Sequence, residues 1–357
     1  MNRTRSLYWL LFGLLAGLLA FGGLALATAG TPRPVAAAAA AGNPPSPPPN
    51  WTPWATRTPW ATGTVVPPCP PPPVRLVPWL QFGHAAPGNT VTYRQVLLNR
   101  VTTATTVDLA GRSLRGWPVT VDPTQVVAVP GLTNTLTIGV AVPVSPTARV
   151  DVERVRASAA TSPPFTTTAY LITLAGRVPF TDLAPTDWAD DPVQYLVAQG
   201  AVAGYADGSF RPADFVTRAQ FAKMLVSALG WTLQYPAQPT FVDVPPTAWA
   251  YPYIETAAAQ GVIGGYSDGT FRPAAPVTRA QVAKLIVTAR GWCQNPPAGG
   301  SFSDVSPQDW FYPYATTASA AQSMAGYGDG TFRPYALATR AQVAKILTLS
   351  LFSAPQN

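Results

Sequence analysis

The nine residues GYADGSFRP, starting at Gly204, recur as GYSDGTFRP from Gly265 and GYGDGTFRP from Gly326, 61 residues apart both times. Other landmarks keep the same interval. Phe180, Phe241 and Phe302 open FTDL, FVDV and FSDV; Trp188, Trp249 and Trp310 follow; TRAQFAKML, TRAQVAKLI and TRAQVAKIL close each copy. The segments between, such as TLQYPAQPT and CQNPPAGGS, share nothing. The retained residues are therefore an internal record of what each unit requires. A fixed period constrains the fold strongly, because each unit is one supersecondary element that buries its apolar face only by stacking on its neighbours.

Each unit reads as helix, loop, helix. The first helix starts near Trp188, runs through PVQYLVAQ and stops at Gly200, a residue suited to the left-handed C′ position; Gly261 repeats it. The third copy has Gln322 there, which predicts a different cap and a less regular helix. In the second helix Thr217 and Gln220 form a T-x-x-Q capping box, repeated by Thr278 with Gln281 and Thr339 with Gln342. Phe221, Met224, Leu225 and Ala228 then fall at i, i+3, i+4 and i+7, a core-facing stripe.

The arginines after those threonines are unexpected. Arg218, Arg279 and Arg340 occupy the first helical position, where the helix dipole disfavours a cation by up to ~1 kcal/mol. A cation retained three times at the wrong helix end points to an anion within reach, held by the guanidinium fork and the helix N-terminus together. An internal ion pair with a repeat aspartate is the alternative. Lys223, Lys284 and Lys345, the only lysines, lie off the apolar stripe and read as a solvated face. In the loop, Asp-Gly supplies a turn with positive φ, the Phe is an anchor and the Pro ends the segment. One aspartate per loop is too few oxygen ligands for calcium, and no G-x-x-x-x-G-K-[ST] pattern is present, so neither metal nor nucleotide cofactor is expected.

The chain begins with Arg3 and Arg5, an apolar run from Leu7 to about Ala27, and small-residue sites, the order of a secretory signal peptide. Left uncleaved, that run is long enough to anchor the chain in a membrane. NPPSPPPNWTPWATRTPWATGTVVPPCPPPPVRLVP, residues 43–78, favours extended polyproline II and reads as a spacer. Between about 75 and 176, NTVTYRQVLLN, WPVTVDP, QVVAVPG, NTLTIGVAVP, RVDVERVRA and TTTAYLITLAG belong to roughly seven short strands broken by Pro and Gly, a β-sandwich pattern. His84, the only histidine, is placed in a loop before the first of them. Net charge is +4 over residues 1–73, +5 over 74–177 and −2 over 178–357, without the dense basic patch that nucleic acid demands. Cys69 and Cys293 neighbour no second Cys or His, which argues against a metal site.

The succession F-x-D-[VL], W, G-Y-x-D-G-x-F-R-P and T-R-A-Q resembles the S-layer homology (SLH) domain in three consecutive copies. APGNTVTYRQVLLN and GWPVTVDP resemble immunoglobulin-like modules of bacterial surface proteins. Together these imply an all-β immunoglobulin-like sandwich followed by an α-helical SLH triple repeat, a pseudo-threefold bundle. The implied divisions are 1–29 signal peptide or N-terminal membrane anchor, 30–74 linker, 75–176 sandwich, and repeats at 178–238, 239–299 and 300–352. The resemblance implies an extracellular protein held non-covalently at the cell wall by an anionic secondary polysaccharide, often pyruvylated in that family. Its binding arginine maps onto Arg218, Arg279 and Arg340. Tyr205, Tyr266 and Tyr327 with Asp207, Asp268 and Asp329 are implied to line or shape the groove, and the three tryptophans to pack in the core. The family's acidic fourth motif residue is Gln in all three copies here, which puts ligand preference in doubt. The alternatives are an adhesin or assembly module with a protein partner for the sandwich, and a wall-active enzyme. Against the enzyme, the β-segment offers one His and only Asp108, Asp122, Asp151 and Glu153 as acids.

Overall fold

The computed structural model describes residues 74–100, 102–161, 164–294 and 302–353. The expected export segment, nearly all of the linker, and Cys69 lie outside them. Among the described residues no helix is long and apolar enough to cross a membrane.

Nine strands come first: β1 Val74–Val77, β2 Leu80–Ala85, β3 Thr90–Asn99, β4 Thr105–Ser113, β5 Val119–Asp122, β6 Gln125–Ala128, β7 Thr133–Ala141, β8 Val150–Ala159 and β9 Phe165–Ala175. They form two sheets, ordered β1-β3-β7-β5 and β2-β9-β8-β4-β6. Strand alternation places the core between them: Leu97 and Ile138 from one sheet meet Leu109, Val155 and Leu171 from the other, all buried. The six expected strands are present, and β1, β2 and β4 add to them. β2 is a six-residue strand with every residue half-buried. His84 therefore lies in a strand, paired in parallel with β9, rather than in a loop.

Six helices follow: α1 Asp190–Ala198, α2 Arg218–Ala228, α3 Tyr251–Ala259, α4 Arg279–Ala289, α5 Tyr312–Ala320 and α6 Arg340–Phe352. The capping boxes form in α2, α4 and α6, with each threonine side chain accepting from the glutamine N–H and each glutamine side chain accepting in return. Gly200 and Gly261 end α1 and α3 at φ +71° and +69°. The expectation for the third copy needs correcting. α5 is nine residues long like α1 and α3, and Gln322 adopts φ +59° in place of glycine. Tertiary packing imposes the left-handed cap on a side chain that disfavours it.

Contacts between copies form a closed cycle. α2 packs on α3, α4 on α5, and α6 on α1. Val277 N–H donates to the Val216 carbonyl, Ala338 N–H to Val277 and Val216 N–H to Ala338, so the three chain segments before the T-R-A-Q helices bond head to tail.

Candidate functional site at the repeat seams

Each loop is built by its own repeat. Asp182, Asp243 and Asp304, from the FxD motifs, accept the N–H groups of the loop Phe and the Arg after it, with distances of 2.7–2.8 Å. Those arginines, Arg211, Arg272 and Arg333, sit at φ +59°, +58° and +56°. The carboxylate grip holds a backbone conformation that an L side chain otherwise avoids. Phe210, Phe271 and Phe332 are fully buried anchors, against Phe180, Phe241 and Phe302. The glycine that opens the loop has no alternative: a Cβ on Gly265 would lie 2.7 Å from both Phe241 Cε1 and the Thr270 carbonyl oxygen.

The loop aspartates turn inward on the loop. Asp207, Asp268 and Asp329 accept from the backbone and hydroxyl of Ser209, Thr270 and Thr331, and pair with Arg211, Arg272 and Arg333 at 2.8–2.9 Å. The Thr270 hydroxyl and then Arg272 hold the Asp268 carboxyl down at about 2. Their neighbours hold the Asp207 and Asp329 carboxyls well below the usual range in the same way.

The T-R-A-Q arginines cross to the next repeat. Arg218 Nε donates to the Phe271 carbonyl at 2.7 Å and its Nη2 to Gly264 at 2.8 Å. Arg279 does the same to Phe332 and Ala325, at 2.8 and 2.9 Å. Arg340 closes the cycle on the first repeat, donating to Phe210 and Ala203 at 2.9 and 3.1 Å. Each guanidinium also stacks near the loop tyrosine of that neighbour: Arg218 near Tyr266, Arg279 near Tyr327 and Arg340 near Tyr205, 4.9–5.2 Å from the ring centroids. A second contact comes from the loop's own arginine, at 3.8–4.0 Å. Every tyrosine thus contacts two cations.

Of the two readings of the misplaced cation, the internal ion pair is the one the structure answers. No salt bridge joins these arginines to an aspartate among the described residues. Backbone carbonyls of the adjoining copy take that role. Arg279 and Arg340 are buried and Arg218 half-buried. Burial lowers all three pKa values, partly offset by the facing tyrosines. Nη1 of each makes no hydrogen bond to another described residue, so one edge of the fork remains free to donate.

The tryptophans and lysines also depart from expectation. Trp188 and Trp249 are 57% and 60% exposed rather than in the core. Lys345 Nζ lies 5.2 Å from the Trp188 ring centroid, and Lys284 Nζ lies 5.8 Å from those of Trp310 and Tyr314. Lys284 and Lys345 therefore contact a ring of the following copy instead of facing water alone. Sequence reasoning also missed Asp182, Asp243, Asp304 and the FRP arginines as parts of the site. Their recurrence at 61 residues was visible; their partners were not.

The S-layer homology domain family matches residues 179–222, 240–283 and 301–344. The chain carries three consecutive SLH domains, and with its S-layer relatives they indicate an extracellular, cell-surface location. It is 33% identical to an endoglucanase of Bacillus sp. (strain KSM-635) over 49% of this chain and 19% of that relative. It is 36% identical to a cellulosome-anchoring protein of Acetivibrio thermocellus over 38% of this chain and 31% of the relative. With the S-layer protein sap of Bacillus anthracis the values are 30%, 49% and 21%. The chain thus spans a third or less of the length of these relatives. Against solved structures, a PapD-like domain of human CEP192 aligns with 32% of this chain and 95% of its own at 15% identity, with a TM-score of 0.26, too slight a likeness to bear on the argument.

Proposed function

We propose that the three repeats form a pseudo-threefold unit that binds an anionic, pyruvate-bearing wall polysaccharide at the seams, with an immunoglobulin-like sandwich carried beside it. The domain divisions at 75–176, 178–238, 239–299 and 300–352 belong to this reading. So do Arg218, Arg279 and Arg340, with Tyr205, Tyr266 and Tyr327 and Asp207, Asp268 and Asp329, as the residues of the three sites. The observation that carries it is the free Nη1 edge of each arginine, held over an aromatic ring by two carbonyl bonds. A fork pre-set in this way loses little entropy on accepting a carboxylate. The aspartates act by fixing Arg211, Arg272 and Arg333 against the tyrosine. The activity is anchoring rather than catalysis, although relatives named as an endoglucanase and a cell wall amidase share the repeats.

Sedimentation of the full chain with purified walls, before and after chemical removal of the secondary polymer, tests this. Binding should fall at least tenfold on stripped walls; equal binding would reject the polysaccharide as the ligand. A second reading, a protein partner for the sandwich, draws on Val127 and Leu132, 56% and 61% exposed at one end of that module.

A further inference from the structure

Every pair of packed helices between copies has an end that must be covered. At the first seam the chain itself does this. After α2, half-buried Trp231 leads into a segment laid along α3, where Gln234 N–H donates to Thr256 Oγ1 at 2.9 Å and Thr240 N–H to Glu255 at 2.8 Å. Tyr251 completes the attachment through its hydroxyl to the Pro236 carbonyl. At the second seam Trp292, 61 residues after Trp231, is buried at the corresponding place.

At the third seam the cover comes from the β-sandwich. Val150, Val152, Ile172 and Leu174, on the outward face of β8 and β9, belong to the same apolar core as the helices and not to the core between the sheets. Phe352, at the end of α6, has its ring centroid 5.3 Å from that of Tyr170 in β9 and 5.4 Å from that of Tyr195 in α1. Val178 N–H donates to Gln194 Oε1 and Gln194 Nε2 to the Val178 carbonyl, both at 2.8 Å. Gln194 lies 61 residues before Glu255, so one repeat position receives the covering segment at both seams. A polar edge adds to this: His84 Nε2 is 2.7 Å from Asp191, and Arg177 pairs with buried Asp190.

We infer that the β-sandwich is the cap of the repeat unit, closing the seam between repeats 3 and 1 as the inter-repeat segment closes the first. Sandwich and repeats then form one cooperative body, and the sandwich is held in a fixed orientation rather than displayed on a loose tether. The apolar seam supplies the attachment through burial of large side chains, and the part-buried ion pairs at its rim add to it. This inference is independent of what the repeats bind.

Hydrogen exchange and calorimetry on the full chain test it. The wild type should unfold in one transition, and Tyr170→Ala should speed exchange of the α1 amides at least tenfold while leaving α3 amides unchanged. Tyr170→Phe, which keeps the ring, should restore protection. If Tyr170→Ala does not fold, Arg177→Ala at the rim should raise α1 exchange in the same direction. Separate transitions for strands and helices, or α1 exchange indifferent to these changes, would overturn the inference.

Discussion

Gln322 shows what a single side chain costs in a conserved geometry. It holds the left-handed angle that Gly200 and Gly261 hold in the other two copies. A Cβ in that region meets the following carbonyl, at a cost of roughly 1–2 kcal/mol, and glycine removes the penalty. Gln322→Gly should therefore stabilise the protein by about 1 kcal/mol, net of the glycine's greater freedom when unfolded. The check is a urea midpoint that rises with an unchanged slope; a lower midpoint would show that the glutamine side chain stabilises the turn. Glu153 is a second costly residue. It is fully buried between the sheets, its Oε2 accepts from Thr173 at 2.9 Å, and its Oε1 has no partner. Desolvation first, and the Asp151 charge further, push its carboxyl up to about 8 from an ordinary 4.5. An acid raised in the folded state contributes its full stability below the unfolded value, and loses it as pH rises from about 4.5 to about 8. Glu153→Gln should flatten the fall in urea midpoint between pH 5 and 8; an equally steep fall in the variant would place the titrating group elsewhere.

The T-R-A-Q helices are built from opposing local and tertiary demands. The capping box favours the start of each helix, while a cation at its first position opposes the dipole by up to ~1 kcal/mol. Two charge-assisted bonds to the next loop outweigh that penalty, at about 1.5–3 kcal/mol each. Arg279→Ala should consequently cost about 3 kcal/mol, as read by chemical denaturation. Arg279→Lys should recover less than half of it, because one ammonium cannot span the Ala325 and Phe332 carbonyls as a planar fork does. Full recovery by lysine would mean that charge, not fork geometry, holds the seam. Measuring wall binding on the same variants under conditions where they remain folded separates the strut from the ligand contact.

At the scale of the whole molecule, the repeat period made the helix–loop–helix unit legible three times over. Capping boxes, the core stripe, the Phe anchors and the positive-φ glycines were all readable, because each depends on residues close together along the chain. Short β-rich runs bounded by Pro and Gly made six strands readable for the same reason. The partners of the arginines were not readable. Arg340 bonds to Ala203 and Phe210, 137 and 130 residues away, and nothing local encodes a contact that closes a cycle. The same holds for exposed Trp188, for His84 in a parallel strand, and for the outward sheet face that meets Phe352. Short-range sterics and hydrogen bonding write the elements into the sequence. Which surfaces those elements share was decided only on folding, where burial and the demand of every buried polar group for a partner select one arrangement among many.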